Sequence, residues 1–375
     1  MPYHSIDEIL RRCRDRACPF WQVVLTTQAK ETQLPESAVL DQMDQMAKAM
    51  EDSITQYDPT AVTTGKMGGQ NGARLAEYNQ KGDTLLGDYL SAVIAAAVQV
   101  AESNACMKRI VAAPTAGSCG VIPAVLITYQ KQQGLPRREL LRALLVSAGI
   151  GSVIAENASI SGAQGGCQAE IGSAAAMAAG GLVYLAGGDN NAIAQGAAMA
   201  LKNMLGLVCD PVAGLVETPC IKRNAAGAAN AVVAAQMALA GIQSVIPPDE
   251  IIDAMYEIGC QLPACLRETS QEDWPPLPPG KKLPKSWGKT SSKLQRKAKP
   301  PAAQSSGRPF LSPGRLSPAP HPWPSSRQSR QQRPWYRYDR GVRFGPGGST
   351  PPAPHTPSPR RQKLTKTAAP GAAGR

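Results

Sequence analysis

The sequence predicts a mainly α-helical protein, a compact domain of Ala- and Gly-rich helices with ligand-bearing loops, followed by a disordered basic tail. Three observations carry that expectation. Apolar residues recur at helical spacing in several windows, and alternating β-branched runs are scarce. The stretch from Glu170 to Ile246 is nearly continuous in alanine, the best helix former, whose small side chain lets helices approach closely.

The elements follow in order. Ser5 and Glu8 form a capping-box pattern that opens an amphipathic helix carrying Ile9, Leu10 and Cys13. A second helix is predicted over Glu36–Ile54, with Val39, Leu40, Met43, Met46, Ala47 and Met50 on one face. A turn-rich segment, Asp58–Gly72, precedes a helix from about Leu85 to Ser103. After the loop Ala113–Gly120 a helix should run to about Gln133, and another should span Arg137–Ile150. The alanine-rich run beyond Glu170 breaks near Gly187–Asp189 and at two cysteine-bearing loops.

Charge divides the chain in two. Residues 1–270 hold 19 Lys and Arg against 25 Asp and Glu, whereas residues 271–375 hold 21 against 3, so the net +12 belongs to the tail. The tail also holds 21 of the 33 prolines and loses apolar spacing, a composition that does not build a core. Its Arg333–Tyr338 stretch mixes cations with aromatics, yet no RGG repeat or fold signature accompanies it, so nucleic-acid binding is the weaker reading. No membrane role is expected, because the longest apolar run, Ala225–Ile246, contains Asn230, Gln236 and Gln243. The N-terminus reads MPYHSIDEILRRC, without an apolar leader, and the nine cysteines show no disulfide framework. A reducing cytoplasm is the expected setting.

Three of those cysteines lie in turn-forming contexts: Gly166-Cys167-Gln168, Val208-Cys209-Asp210-Pro211 and Thr218-Pro219-Cys220. Residues 1–270 contain one histidine, His4, so a metal held here would be held mainly by sulfur. Thiolates without imidazole favour zinc or an iron–sulfur cluster, and three ligands leave a position open for substrate. The same three residues also fit ordinary buried thiols, since no CxxC pair is present. A second candidate is Ala113–Gly120, where Thr115, Gly117 and Ser118 could turn donors toward a carboxylate, or Thr115 or Ser118 could simply cap a helix. Lys66, in the loop Thr63–Gly69, could meet a substrate carboxylate or stay at the surface.

Taken together, PTAGSCG at Pro114–Gly120, GCQAE at Gly166–Glu170 and LVCDPVAGLVETPCIKRN at Leu207–Asn224 resemble the α subunit of iron–sulfur-dependent L-serine dehydratases. The resemblance covers about residues 1–270. It implies a catalytic domain of that type and a [4Fe–4S] cluster on Cys167, Cys209 and Cys220. One iron is left open for L-serine, and no pyridoxal phosphate is needed. It sets aside Cys13, Cys18, Cys106, Cys119, Cys260 and Cys265 as ligands. It makes Thr115, Gly117 and Ser118 the candidate carboxylate cradle, with Lys66 the weaker candidate. It also implies a β subunit, because the SSSHT segment that two-chain members carry there is absent from this chain. The general base stays open between Glu170, Asp210 and a partner's histidine. The likeness stops near Thr269: the family continues with a segment like ALGGLAATPTGKK, whereas this chain reads SQEDWPPLPPGKK over Ser270–Lys282. A shifted reading frame from about residue 270 is the expectation that follows.

Overall fold

The computed structural model describes residues 2–209 and 216–268, and among these there is no β-strand. The tail from residue 271, with the disorder expected of it, lies outside the described residues. So do residues 210–215, which include Asp210. The helices are α1 (Ile6–Arg16), α2 (Phe20–Thr32), α3 (Glu36–Thr55), α4 (Asn71–Gln80), α5 (Gly87–Ala105), α6 (Val121–Gln132), α7 (Arg137–Asn157), α8 (Gly162–Gly165), α9 (Ser173–Leu185), α10 (Asn190–Lys202), α11 (Cys220–Leu239) and α12 (Pro248–Gln261). None is long and apolar enough to cross a membrane.

Helix α9 is the axis. It is buried from Ser173 to Val183, and α6, α7, α10 and α11 pack around it. Its alanines and glycines leave no ridge of large side chains, so four neighbours reach one helix at close range. The large apolar groups come from outside that axis: Ile122, Leu126, Leu140, Leu145, Ile150, Ile154 and Ile193 are all fully buried.

The capping box of α1 is displaced by one residue. The Ser5 hydroxyl accepts the Glu8 N–H at 3.0 Å, but the Glu8 carboxylate reaches back to the N–H of His4, at 3.0 Å, instead of that of Ser5. Helix α7 runs on to Asn157, past the expected end at Ile150. Gly149 and Gly151 look like helix breakers, yet a methyl at either would stand 2.5 Å from Val24 or 2.6 Å from Met177, so here they are contact points inside the helix. Helix α11 stops at Leu239 rather than Ile246, with a left-handed Gly241 close behind it and α12 opening after Pro247. Helices α2, α4 and α12 are additional to those expected; α12 buries Ile251, Ile252, Met255 and Gly259 along one face.

One buried carboxylate ties the turn-rich segment down. Glu102 of α5 accepts the N–H groups of Gly69, Asn71 and Gly72, the Asn71 amide and the Tyr57 hydroxyl, at 2.6–3.0 Å. Burial pushes its pKa up, but these donors outweigh burial and hold it below the ordinary 4.5. A folded value below the unfolded one contributes stability above the unfolded pKa, and that contribution is lost as pH falls. Glu102→Gln is therefore expected to cost about 1–3 kcal/mol at neutral pH and to flatten the loss of thermal stability below pH 4.5. Melting curves of both proteins across that range check it.

Candidate active site

Cys167, Cys209 and Cys220 lie at 2%, 1% and 6% exposure, delivered by three separate segments. Cys167 stands between α8 and a π-helical turn, Gln168–Gly172, that leads straight into α9. It can do so because Gly166 has φ +70°, a left-handed conformation, where a methyl would meet Leu262 at 3.0 Å and the Leu207 carbonyl at 3.1 Å. Gln168 locks the segment: its N–H donates to the Leu207 carbonyl, its side-chain oxygen accepts the Gly206 N–H, and its amide donates to Met255. Cys209 is fixed from the C-terminal side, its N–H donating to the Leu266 carbonyl at 2.9 Å. Cys220 is the first residue of α11.

The three buried thiols are coupled to one another electrostatically. The Cys209 thiol donates to Cys167. With the Arg223 guanidinium, whose Nη1 lies 3.1 Å from the Cys167 sulfur, it keeps Cys167 below the usual thiol range. Cys209 goes up correspondingly, and burial pushes Cys220 up to about 12, with the charges of Cys167, Glu268 and Glu170 adding to it. Of the three thiols, Cys167 is the one whose pKa the surroundings lower, which eases its deprotonation. Among the described residues, no three His, Cys, Asp or Glu side chains stand close enough to hold a single metal ion. Soft sulfur donors without imidazole, buried together beside a cation, fit an iron–sulfur cluster better than one small ion.

The loop Ala113–Gly120 comes to the same place through Asn224 of α11. Its amide nitrogen donates to the Gly117 carbonyl at 2.8 Å and to the Cys220 carbonyl at 3.0 Å, while its oxygen accepts the Gly120 N–H at 2.8 Å. Within the loop, the Thr115 and Ser118 hydroxyls are 3.1 Å apart, and Ser118 is fully buried. What the loop faces is a carboxylate of the chain itself. Thr115 hydrogen-bonds Glu170, and a methyl on Gly117 would lie 3.0 Å from Glu170 Oε2. Glu268 joins it: a methyl on Gly162 would lie 2.5 Å from Glu268 Oε2 and 2.8 Å from Glu170 Oε2. Burial first, then the charge of Glu268, raises Glu170 to about 7, and burial raises Glu268 as well.

Lys66 lies exposed on a loop tied to the segment before Cys220. Glu217 pins its loop to the segment before Cys220, accepting the Gly65 N–H at 2.7 Å and the Thr63 hydroxyl, but the Lys66 side chain is exposed. His4 lies at the surface against Glu156. Cys119 is a structural thiol, its sulfur 3.9 Å from the Val100 carbonyl. Asn224, Glu217 and Glu268 carried no sequence signal strong enough to single them out. Glu170 did carry one: it is the sole charged residue between Glu156 and Asp189.

Fold and site define a class: an all-helical domain whose loops gather thiols and carboxylates into one buried centre. The family model for the serine dehydratase alpha chain matches residues 15–272. The chain is 43% identical over 284 residues to a probable L-serine dehydratase alpha chain of Bacillus subtilis, covering 76% of this chain and 94% of that one. It is 41% identical to the L-serine dehydratase alpha chain of Peptoniphilus asaccharolyticus, over 70% of this chain and 90% of the other. Against L-serine dehydratase 2 of Escherichia coli the identity is 48%, over 47% of this chain and 39% of that longer protein. The chain belongs to the serine dehydratase alpha chain family.

Proposed function

We propose that this chain is the catalytic α chain of an iron–sulfur-dependent L-serine dehydratase that works in a reducing cytoplasm and releases pyruvate and ammonia. The observation that carries the reading is the shared burial of Cys167, Cys209 and Cys220, three segments apart in sequence, beside Arg223. These cysteines would hold a [4Fe–4S] cluster, which when bound supplies a Lewis acid for the serine hydroxyl. The chain's own residues do the rest. The Cys209 thiol, and with it Arg223, lower the pKa of Cys167 and so ease its deprotonation. Asn224 fixes the Thr115–Gly120 loop, our candidate for orienting the substrate, to the first turn of α11. Burial of the three thiols and of Glu170 limits the access of bulk water to the site. The alpha-chain naming of the relatives supports a β-chain partner, as does the lack of any histidine near the described site. Anaerobic iron and sulfide reconstitution tests this: about four irons per chain and pyruvate from L-serine, with turnover rising when a β chain is added. Stoichiometric zinc with no pyruvate would replace the reading with a structural thiolate site.

We infer further that the frame changes after Thr269. Reading from the third base of the Gln271 codon, the Asp273–Trp274 junction encodes only leucine and the Trp274–Pro275 junction only alanine. With a CTN codon at Leu277, the four codons that follow each encode alanine, proline, serine or threonine. Gly-Gly-Leu-Ala-Ala-Thr-Pro-Thr-Gly-Lys-Lys is thus spelled by codons that equally spell Glu272–Lys282. Sequencing the gene across this junction in independent clones is expected to show the displaced frame, and a uniform frame with unrelated codons would refute it.

A further inference from the structure

The proposed reaction needs a base at the serine α-carbon, and its identity is what the buried carboxylates bear on. Glu170 is 9% exposed, and it sits three residues beyond Cys167 on the π-helical turn that opens α9. A π turn sets the following side chains at angles a regular α-helix would not, and such turns concentrate at functional sites. The Glu170 carboxylate lies against Gly117 of the candidate substrate loop, accepts from Thr115, and meets Glu268 at Gly162. Two carboxylates buried close together at Gly162 are costly for folding, which points to a role beyond structure.

We propose that Glu170 is the proton acceptor for the elimination, and that Glu268 is a positioning residue that closes its pocket. The proposal rests on the serine dehydratase reading above. In the step, the Cα–H bond breaks and the proton passes to a Glu170 carboxylate oxygen. The freed electron pair forms the Cα=Cβ bond, and the Cβ–O bond breaks with its pair on oxygen. The proton on Glu170 then goes to the departing hydroxide, so water leaves and the carboxylate is regenerated. The aminoacrylate tautomerises to the imine, which takes back one water and loses ammonia to give pyruvate.

The surroundings suit that role. The titratable and charged groups that face Glu170 are Glu268, Cys220, Cys167 and Cys119, with Arg223 one shell further out beside Cys167. The carboxylate is buried directly against Gly117 of the candidate substrate loop, where a base must stand to reach a substrate proton. Gly117 and Gly162 leave room for nothing larger than hydrogen against the two carboxylates, so each is a handle for displacing them.

The experiment uses the reconstituted full chain with its β partner. Glu170→Gln is expected to lower kcat by about 10²–10⁴-fold while iron content, cluster absorbance and L-serine binding by calorimetry stay at the wild-type level. Glu268→Gln is expected to lower kcat by about tenfold or more with KM and melting temperature unchanged. Gly162→Ala, which crowds both carboxylates without removing either, should also lower kcat with iron retained. If Glu170→Gln keeps kcat within about threefold, or loses its iron, the assignment is overturned. If the wild-type chain itself takes up no iron and makes no pyruvate, the functional reading fails instead, which separates the two failures.

Discussion

Cys167→Ser is expected to abolish iron retention and to lower serine turnover by more than about 100-fold, beyond the usual reach of changes behind the ligands. Of the three buried thiols, Cys167 is the one whose pKa is lowered, through the Cys209 thiol and Arg223. A serine hydroxyl at the same place stays protonated at neutral pH and offers a hard oxygen where soft sulfur is wanted. It also leaves the Arg223 guanidinium, 3.1 Å away, facing a neutral group. Cys119→Ser is the control, because Cys119 is just as buried but lies against the Val100 carbonyl. It should keep its iron. Iron analysis and visible absorbance of the two variants decide the matter, and equal iron in Cys167→Ser and wild type would sink the ligand assignment.

Asn224→Ala should carry the second largest effect, this time on both stability and turnover. One side chain satisfies the Gly120 N–H and the Cys220 carbonyl, both buried, and the half-buried Gly117 carbonyl. Leaving them without a partner is expected to cost about 2–4 kcal/mol, or roughly 5–10 °C in melting temperature for a domain of this size. The same loss frees the Thr115–Gly120 loop from the first turn of α11, so kcat should fall even at temperatures where the fold survives. Asn224→Asp keeps the acceptor for Gly120 but turns an oxygen toward two carbonyls, so it should lie near alanine and not near wild type. Calorimetric melting with steady-state rates at low temperature tests both parts. A variant that melts like wild type would show that these three bonds do not hold the loop.

Much of the fold was legible where the local pattern was strong. The amphipathic stripe of α3 fell within a residue of its expected bounds. The loop before α6 and the break at Gly187–Asp189 also lie where glycine, proline and helix caps put them. Other elements were legible only after folding. Gly149 and Gly151 signal a helix end by propensity, but neighbours Val24 and Met177 occupy the space that their missing side chains leave. The apolar run through Ile246 reads as one helix, yet chain reversal at Gly241 lets α12 return toward α8 and the Cys167 segment.

By itself the sequence determined a mainly helical domain, the family, and three cysteines in turn-forming segments. Those features are local: propensity, composition and distinctive strings act within a few residues. The tertiary structure decided which donors face each other. It set Asn224 across to the loop of Gly117, paired Cys209 with Cys167, and brought Glu268 from the far end of the domain to Glu170 over Gly162. Charge coupling and burial depend on distances between segments that the chain brings together only when its core closes, and no short window of residues encodes those distances.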